Sequence, residues 1–208
     1  MSSSQIADHA TSQLALWRSE FGASYTDRND IERPARVASW RRILADRPVT
    51  RALEVGCNVG WNLRYLTACG VDEVWGVEPQ RYAIEKARRR SPDLHIVPGT
   101  AFELPFRDGW FDLSFTSGVL IHIAPDQLGR ALDELHRVTR RWLVVIEYDH
   151  PEEVAISYRG HADALWKRDH GAIIAARFPE LVLRDRGLLR EADGYDDCTF
   201  HVFEKSVP

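Results

Sequence analysis

No stretch of the 208-residue sequence approaches the roughly 18 apolar residues that a membrane-spanning helix needs, and Met1-Ser2-Ser3-Ser4-Gln5 carries neither the basic nor the apolar part of a secretory leader. A cytoplasmic address without a membrane partner is the expectation. Basic residues are not in excess: 27 Lys+Arg stand against 31 Asp+Glu, a formal net charge of −4, so no nucleic-acid partner is expected. Cysteine is scarce and unclustered. Cys57, Cys69 and Cys198 form no CxxC spacing, so neither a disulfide framework nor a structural metal site is expected. Internal repeats and low-complexity tracts are lacking as well.

What is present is an ordinary globular balance, 44% hydrophobic and 28% charged residues. At roughly 150 residues per domain the length predicts one domain over 1–208. The seven Trp are scattered, which suits core packing. Residues 1–45 differ from the rest: Leu14, Leu16, Trp17 and Phe21, then Val37, Trp40, Ile43 and Leu44, fall at helical spacing on two segments separated by a polar loop at 25–30. Further on, short β-branched or apolar runs at 51–55, 73–77, 94–97, 111–115 and 142–148 alternate with helical patterns at 63–69, 83–90 and 125–137. That alternation predicts a parallel sheet with helices on both faces. A further helix is predicted at about 162–177, followed by strands at 181–189 and 199–205. The connection between these strands is too short for a helical crossover and ample for a hairpin, so they should be antiparallel.

Four segments at strand ends carry chemistry. The first strand runs into Glu54-Val55-Gly56-Cys57-Asn58-Val59-Gly60-Trp61-Asn62, an ExGxNxG loop opening a helix. Glycine there lets the chain turn sharply and approach a ligand closely, although a tight turn without a ligand reads the same way. Glu78, followed by Pro79, ends the second strand, where a carboxylate can accept from both hydroxyls of a ribose or simply stand at the surface. After the third strand, Thr100, Ala101 and Phe102 could meet an adenine ring. The fourth segment runs from Phe111 through Ser117 and Gly118 to His122 and Ile123.

This succession resembles class I S-adenosylmethionine-dependent methyltransferases over residues 51–205. A narrower resemblance, carried by 21–29, 56–63, 118–123, 158–161 and 167–169, is to the methylases associated with pseudaminic acid biosynthesis. The resemblance implies an α/β fold: a Rossmann-like seven-stranded sheet, mostly parallel with the last strand antiparallel, helices on both faces and an N-terminal helical cap over 1–45. It implies S-adenosylmethionine as cofactor. Glu54, Gly56, Asn58, Gly60 and Asn62 would line its methionine end, Glu78 and Pro79 its ribose, Thr100, Ala101 and Phe102 its adenine, and Ser117 the floor near the sulfonium. Tyr25 and Arg28 would close over it from the cap, unless they are a solvated pair.

The resemblance also implies an acceptor lid over about 147–170. Tyr148, Tyr158, Arg159, His161, Lys167 and Arg168 are its candidate acceptor-binding residues, and the basic ones would suit an anionic small molecule such as a sugar acid or nucleotide sugar. They read equally as solvated charges near a helix start. His122 is the candidate general base, needed where an alcohol must lose its proton during attack, or else a packing histidine. O-methylation by a monomer or homodimer is therefore expected. The alternatives are a nicotinamide-dependent oxidoreductase, disfavoured by the missing third glycine of GxGxxG, and a catalytically silent cofactor-binding protein.

Overall fold

A computed structural model describes residues 12–206. Three helices come first: α1 (Ser12–Arg18), α2 (Glu20–Asn29) and α3 (Ala35–Leu44). The polar loop expected at 25–30 is corrected by the structure, because residues 25–29 continue α2 and Asp30 is its C-cap residue. Tertiary anchoring explains the difference. Asp30 is held by Arg90, by Lys86 and by the Trp61 indole, so the polar end of α2 is docked on the rest of the molecule. The Arg90 guanidinium holds the Asp30 carboxyl far below the usual carboxylate range.

The alternating pattern then forms β1 (Arg51–Val55), α4 (Trp61–Ala68), β2 (Glu73–Glu78), α5 (Arg81–Arg90), β3 (His95–Pro98), β4 (Phe111–Ser117), α6 (Pro125–Val138) and β5 (Thr139–Glu147). The remaining elements are β6 (Val154–Tyr158), β7 (His161–Lys167), α7 (His170–Arg177), β8 (Val182–Leu189) and β9 (Cys198–Glu204). The main sheet has the order β3-β2-β1-β4-β5-β9-β8. Strands β1 to β5 pair in parallel, and β9 runs antiparallel to both of its neighbours, β5 and β8. This is the Rossmann-like sheet with an antiparallel last strand that the resemblance implies.

Strands buried on both faces read as continuous apolar runs because each face meets a helical layer. On one face Ala52, Leu113, Val144 and Val202 pack with Trp40 and Ile43 of α3 and Leu63 and Leu66 of α4. On the other, Leu53, Leu143, Val145 and Phe203 pack with Leu128, Leu132 and Leu135 of α6 and Ile174 of α7. Helix α6 follows its pattern closely: Pro125 occupies the first turn, where its missing N–H costs nothing, and Leu128, Ala131, Leu132, Leu135 and Val138 are its buried face.

The predicted helix at 162–177 is also corrected. Only His170–Arg177 is helical, while residues 161–167 form the second strand of a separate hairpin, with Val154 opposite Lys167 and Ile156 opposite Leu165. Arg159 (φ 50°) and Gly160 (φ 85°) make its two-residue turn, a conformation that right-handed hairpin twist favours and that glycine adopts without penalty. Among the described residues no helix is long and apolar enough to cross a membrane.

Candidate active site

The carboxyl ends of β1, β2, β4 and β5, the cap and the β6–β7 hairpin enclose a cavity of about 810 Å³. Its floor is the turn after β1. Gly56 (φ 78°) lies against the Val119 side chain, so a Cβ there would collide, and its amide donates to the Val77 carbonyl at 2.8 Å. Asn58 takes the left-handed conformation (φ 48°), which asparagine tolerates better than most residues and which explains its standing where a glycine would otherwise serve.

Two carboxylates face this turn. Glu78 Oε2 accepts from the Asn58 amide and Oε1 from the Gln80 amide, each at 2.8 Å, so strand end and loop are fastened to each other. Glu54 Oε1 accepts from Asn62 Nδ2 at 2.6 Å, and Asn62 Oδ1 in turn accepts from Arg36 Nη1 at 3.3 Å. Burial pushes the Glu54 carboxyl up to about 8 against the opposing hydrogen bond from Asn62, and pushes Glu78 up to about 7 against its two backbone donors. Glu54 Oε2 and Asn58 Oδ1 are buried without a hydrogen-bond partner.

His122 stands across the cavity. It ends a single 3-10 turn, Leu120–His122, whose amides are gathered by Glu147: Oε1 accepts from Val119 and Leu120 at 3.1 Å and from the Thr116 hydroxyl at 2.9 Å. The Nδ1 of His122 lies 2.8 Å from the Ala164 carbonyl oxygen. A carbonyl can only accept, so Nδ1 carries the proton and Nε2 holds the lone pair. Burial lowers the ring to about 4 and keeps it neutral. Trp17 packs edge-on at 4.6 Å and Tyr158 lies 5.4 Å away, between ring centroids.

Most of the residues singled out by sequence line this one cavity: Tyr25, Arg28, Glu54, Gly56, Asn58, Asn62, Glu78, Pro79, Thr100, Ala101, Phe102, Ser117, His122, Tyr148, Tyr158, Arg159 and Lys167. Two do not. Gly60 is the N-cap residue of α4, and its place is one of packing, since a side chain there would meet Leu94 and Ile96. Arg168, expected to meet an acceptor, is buried instead: its Nη2 donates to the Ile123 carbonyl at 3.2 Å and its Nε pairs with Glu153 at 3.2 Å, so it braces the turn after His122. The side chain of His161 lies outside the described residues. Burial raises the hydroxyls of Tyr25, to about 12, and of Tyr148.

Among the lining residues that escape a sequence reading are Trp17, Arg36, Tyr195 and Asp196. Arg36 is the most consequential. Its guanidinium lies over the Tyr195 ring at 4.1 Å and donates to the Gly194 carbonyl at 2.9 Å, so it is oriented by a segment distant in sequence. Its position in an amphipathic helical pattern gives no local sign of that.

Residues 53–142 match the methyltransferase domain family. The chain is thus similar to methyltransferase domains over 90 of its 208 residues. It is 29% identical over 150 residues to a demethylmenaquinone methyltransferase of Renibacterium salmoninarum, covering 69% of this chain and 62% of that protein. It is 36% identical over 129 residues to a demethylmenaquinone methyltransferase of Beutenbergia cavernae, covering 59% of this chain and 52% of that protein. The chain thus spans between half and two thirds of the length of these curated relatives. In fold it is similar to the Burkholderia thailandensis 1,6-didemethyltoxoflavin-N1-methyltransferase, solved with 1,6-didemethyltoxoflavin and S-adenosylhomocysteine, with a TM-score of 0.71, 19% identity, and coverage of 92% of this chain and 88% of that one. The methyltransferase domain match spans the glycine loop that also raised the nicotinamide-dependent alternative.

Proposed function

We propose that this protein transfers the methyl group of S-adenosylmethionine to an oxygen of a small anionic acceptor. The observation that carries the reading is the lining of the cavity: buried Glu54 and Glu78 beside the β1 turn, the His122 lone pair, and the cations Arg159 and Lys167 brought over by the hairpin. The residues present suit the cofactor. Glu54 Oε2 and Asn58 Oδ1 are buried acceptors with nothing donating to them, and the ammonium of a methionine moiety supplies donors. Arg36 suits the carboxylate of that moiety as a guanidinium donor. Glu78, already fixed by two amides, has lone pairs left for ribose hydroxyls.

When bound, S-adenosylmethionine supplies a methyl carbon already activated by sulfonium charge, so the chain's work is alignment and exclusion of water. His122 Nε2 accepts the acceptor's hydroxyl proton as the new bond forms, while Nδ1 stays bonded to Ala164. Arg159 and Lys167 hold the acceptor's anionic group. A carboxylated sugar of the nonulosonic type fits this arrangement.

A second reading rests on the aromatic edges of Trp17, Tyr25 and Tyr158 around His122. They suit a planar acceptor, and the relatives named above are demethylmenaquinone methyltransferases. Release of S-adenosylhomocysteine, measured with carboxylated sugars, their neutral counterparts and a naphthoquinol, separates the two. Turnover of the carboxylated sugars is expected; turnover of the quinol alone replaces the first reading with the second.

A further inference from the structure

Beyond the cavity, at the root of the hairpin, three elements bring potential metal ligands together. Asp149 follows β5, Asp169 is the N-cap residue of α7, and His201 lies on β9 opposite Val145, on the sheet face that α7 covers. One ligand atom from each lies within 4.8 Å of the others. None of the three lines the cavity, although Tyr148 and Lys167, close to them in sequence, do.

An ordinary buried ion pair does not account for this cluster. His201 is 1% exposed. Its Nε2 is 3.6 Å from Asp149 Oδ2, beyond hydrogen-bonding range. Asp149 Oδ2 and His201 Nδ1 are both buried without a hydrogen-bond partner. The other groups facing the cluster leave it negative. His170 Nδ1 is engaged with Asp149 Oδ1 at 3.0 Å, and Arg186, a half-exposed side chain, approaches Asp149 Oδ2 only to 3.9 Å. Two carboxylates and an imidazole form a mixed oxygen and nitrogen donor set. Such a set suits a first-row divalent ion of the zinc or manganese kind better than magnesium or calcium, which prefer oxygen alone. Ligand atoms about 2.1 Å from a tetrahedral ion stand roughly 3.4 Å from one another, so the two carboxylates rotate inward to close the site. Packing leaves the imidazole little latitude, since any side chain at Gly171 would collide with the His201 ring.

The geometry points to a divalent transition-metal site built from Asp149, Asp169 and His201, with His170 orienting the Asp149 carboxylate, that clamps the end of β5, the β7–α7 junction and β9 into one unit. The ion ties down the base from which the hairpin projects Tyr158 and Arg159. Its role is structural, and it does not depend on which acceptor the cavity takes.

Calorimetric titration of the chelator-treated full chain with Zn²⁺, and with Mg²⁺ in parallel, tests the site. One Zn²⁺ per chain is expected, with no comparable Mg²⁺ binding and a Zn²⁺-dependent rise in melting temperature. Asp169→Asn keeps an N-cap oxygen for the Ala172 amide, so it folds, and it should weaken Zn²⁺ by about tenfold or more. His201→Gln should do the same, and binding of S-adenosylhomocysteine verifies that either variant is folded. Absence of stoichiometric Zn²⁺ binding by the wild-type chain overturns the proposal. So does Zn²⁺ affinity left unchanged in a folded variant of either residue, which would place the ion at other groups.

Discussion

One nitrogen of His122 is committed to Ala164, and the consequence is a base of low proton affinity in a dry site. Because the ring is neutral down to about pH 4, it can accept a proton throughout the physiological range, and the acid limb of turnover should fall nearer 4 than the 6.5 of a solvated histidine. His122→Ala should lower turnover by at least tenfold, on the general-base scale of roughly 10² to 10⁴, while leaving cofactor affinity within about twofold. Steady-state rates and calorimetry with S-adenosylhomocysteine read the two effects separately; near-normal turnover removes His122 from the reaction. The candidate role of this residue was visible in sequence from its place just past the fourth strand. What makes the role chemically specific was not. The tautomer is set by Ala164 on the hairpin and the turn is set by Glu147, and both partners are distant in sequence.

At the scale of elements, the β6–β7 hairpin brings Arg159 and Lys167 to the cavity, where they are proposed to meet the acceptor. Arg159 sits at its tip with a left-handed backbone, so truncation to alanine mixes loss of charge with strain on the turn. Asparagine tolerates that conformation. Arg159→Asn should therefore raise the acceptor KM by about tenfold, the scale of one charge-assisted contact, with cofactor affinity unchanged. A loss of cofactor affinity instead would move Arg159 to the cofactor side. The same hairpin shows where local pattern stops being informative. The run Ala162-Asp163-Ala164-Leu165-Trp166-Lys167 is rich in helix formers and reads as the start of a helix, yet residues 161–167 are a strand because they pair with 154–158 and lie over the turn that carries His122. Arg159-Gly160 was the one local sign of a turn. The main sheet was legible because its strands are buried on both faces and alternate with amphipathic helices such as α6. The end of α2 was not, since its docking depends on Arg90, Lys86 and Trp61. Arg168 was misassigned for a related reason: its sequence neighbours are lid residues, but its guanidinium is turned into the protein.

For the molecule as a whole, the buried carboxylates that line the cavity impose a pH dependence opposite to that of most buried acids in ion pairs. The folded-state pKa of Glu54, about 8, and of Glu78, about 7, stand above the ordinary 4.5, and that of Glu147 is raised as well, in each case by burial. Between 4.5 and 8 the native chain therefore holds more protons than the unfolded one at these sites, and their contribution to stability falls as pH rises. His122 works the other way between about 4 and 6.5, where the unfolded chain takes up the proton that the buried ring refuses. The two tendencies oppose each other below pH 6.5. Above it the acids act alone, so the melting temperature should decline from pH 6.5 to 8. Glu54→Gln removes one of these costs and should gain on the wild-type chain across that interval, by roughly 2–4 °C for each kcal/mol of buried charge relieved. The same substitution removes a carboxylate from the place where a methionine ammonium is proposed to sit, so it should weaken S-adenosylmethionine by about tenfold or more. A cofactor ammonium favours ionised Glu54, so wild-type affinity should strengthen from pH 6.5 to 8 with release of a proton, and that trend should vanish in the variant. Melting curves and calorimetry in buffers of different ionisation enthalpy measure both. Parallel pH profiles for the two chains would show that Glu54 is not the group that couples cofactor binding to folding. The expected crossing, a variant more stable at pH 8 yet weaker for the cofactor, is the signature of a carboxylate buried at a cost to stability for the sake of its ligand.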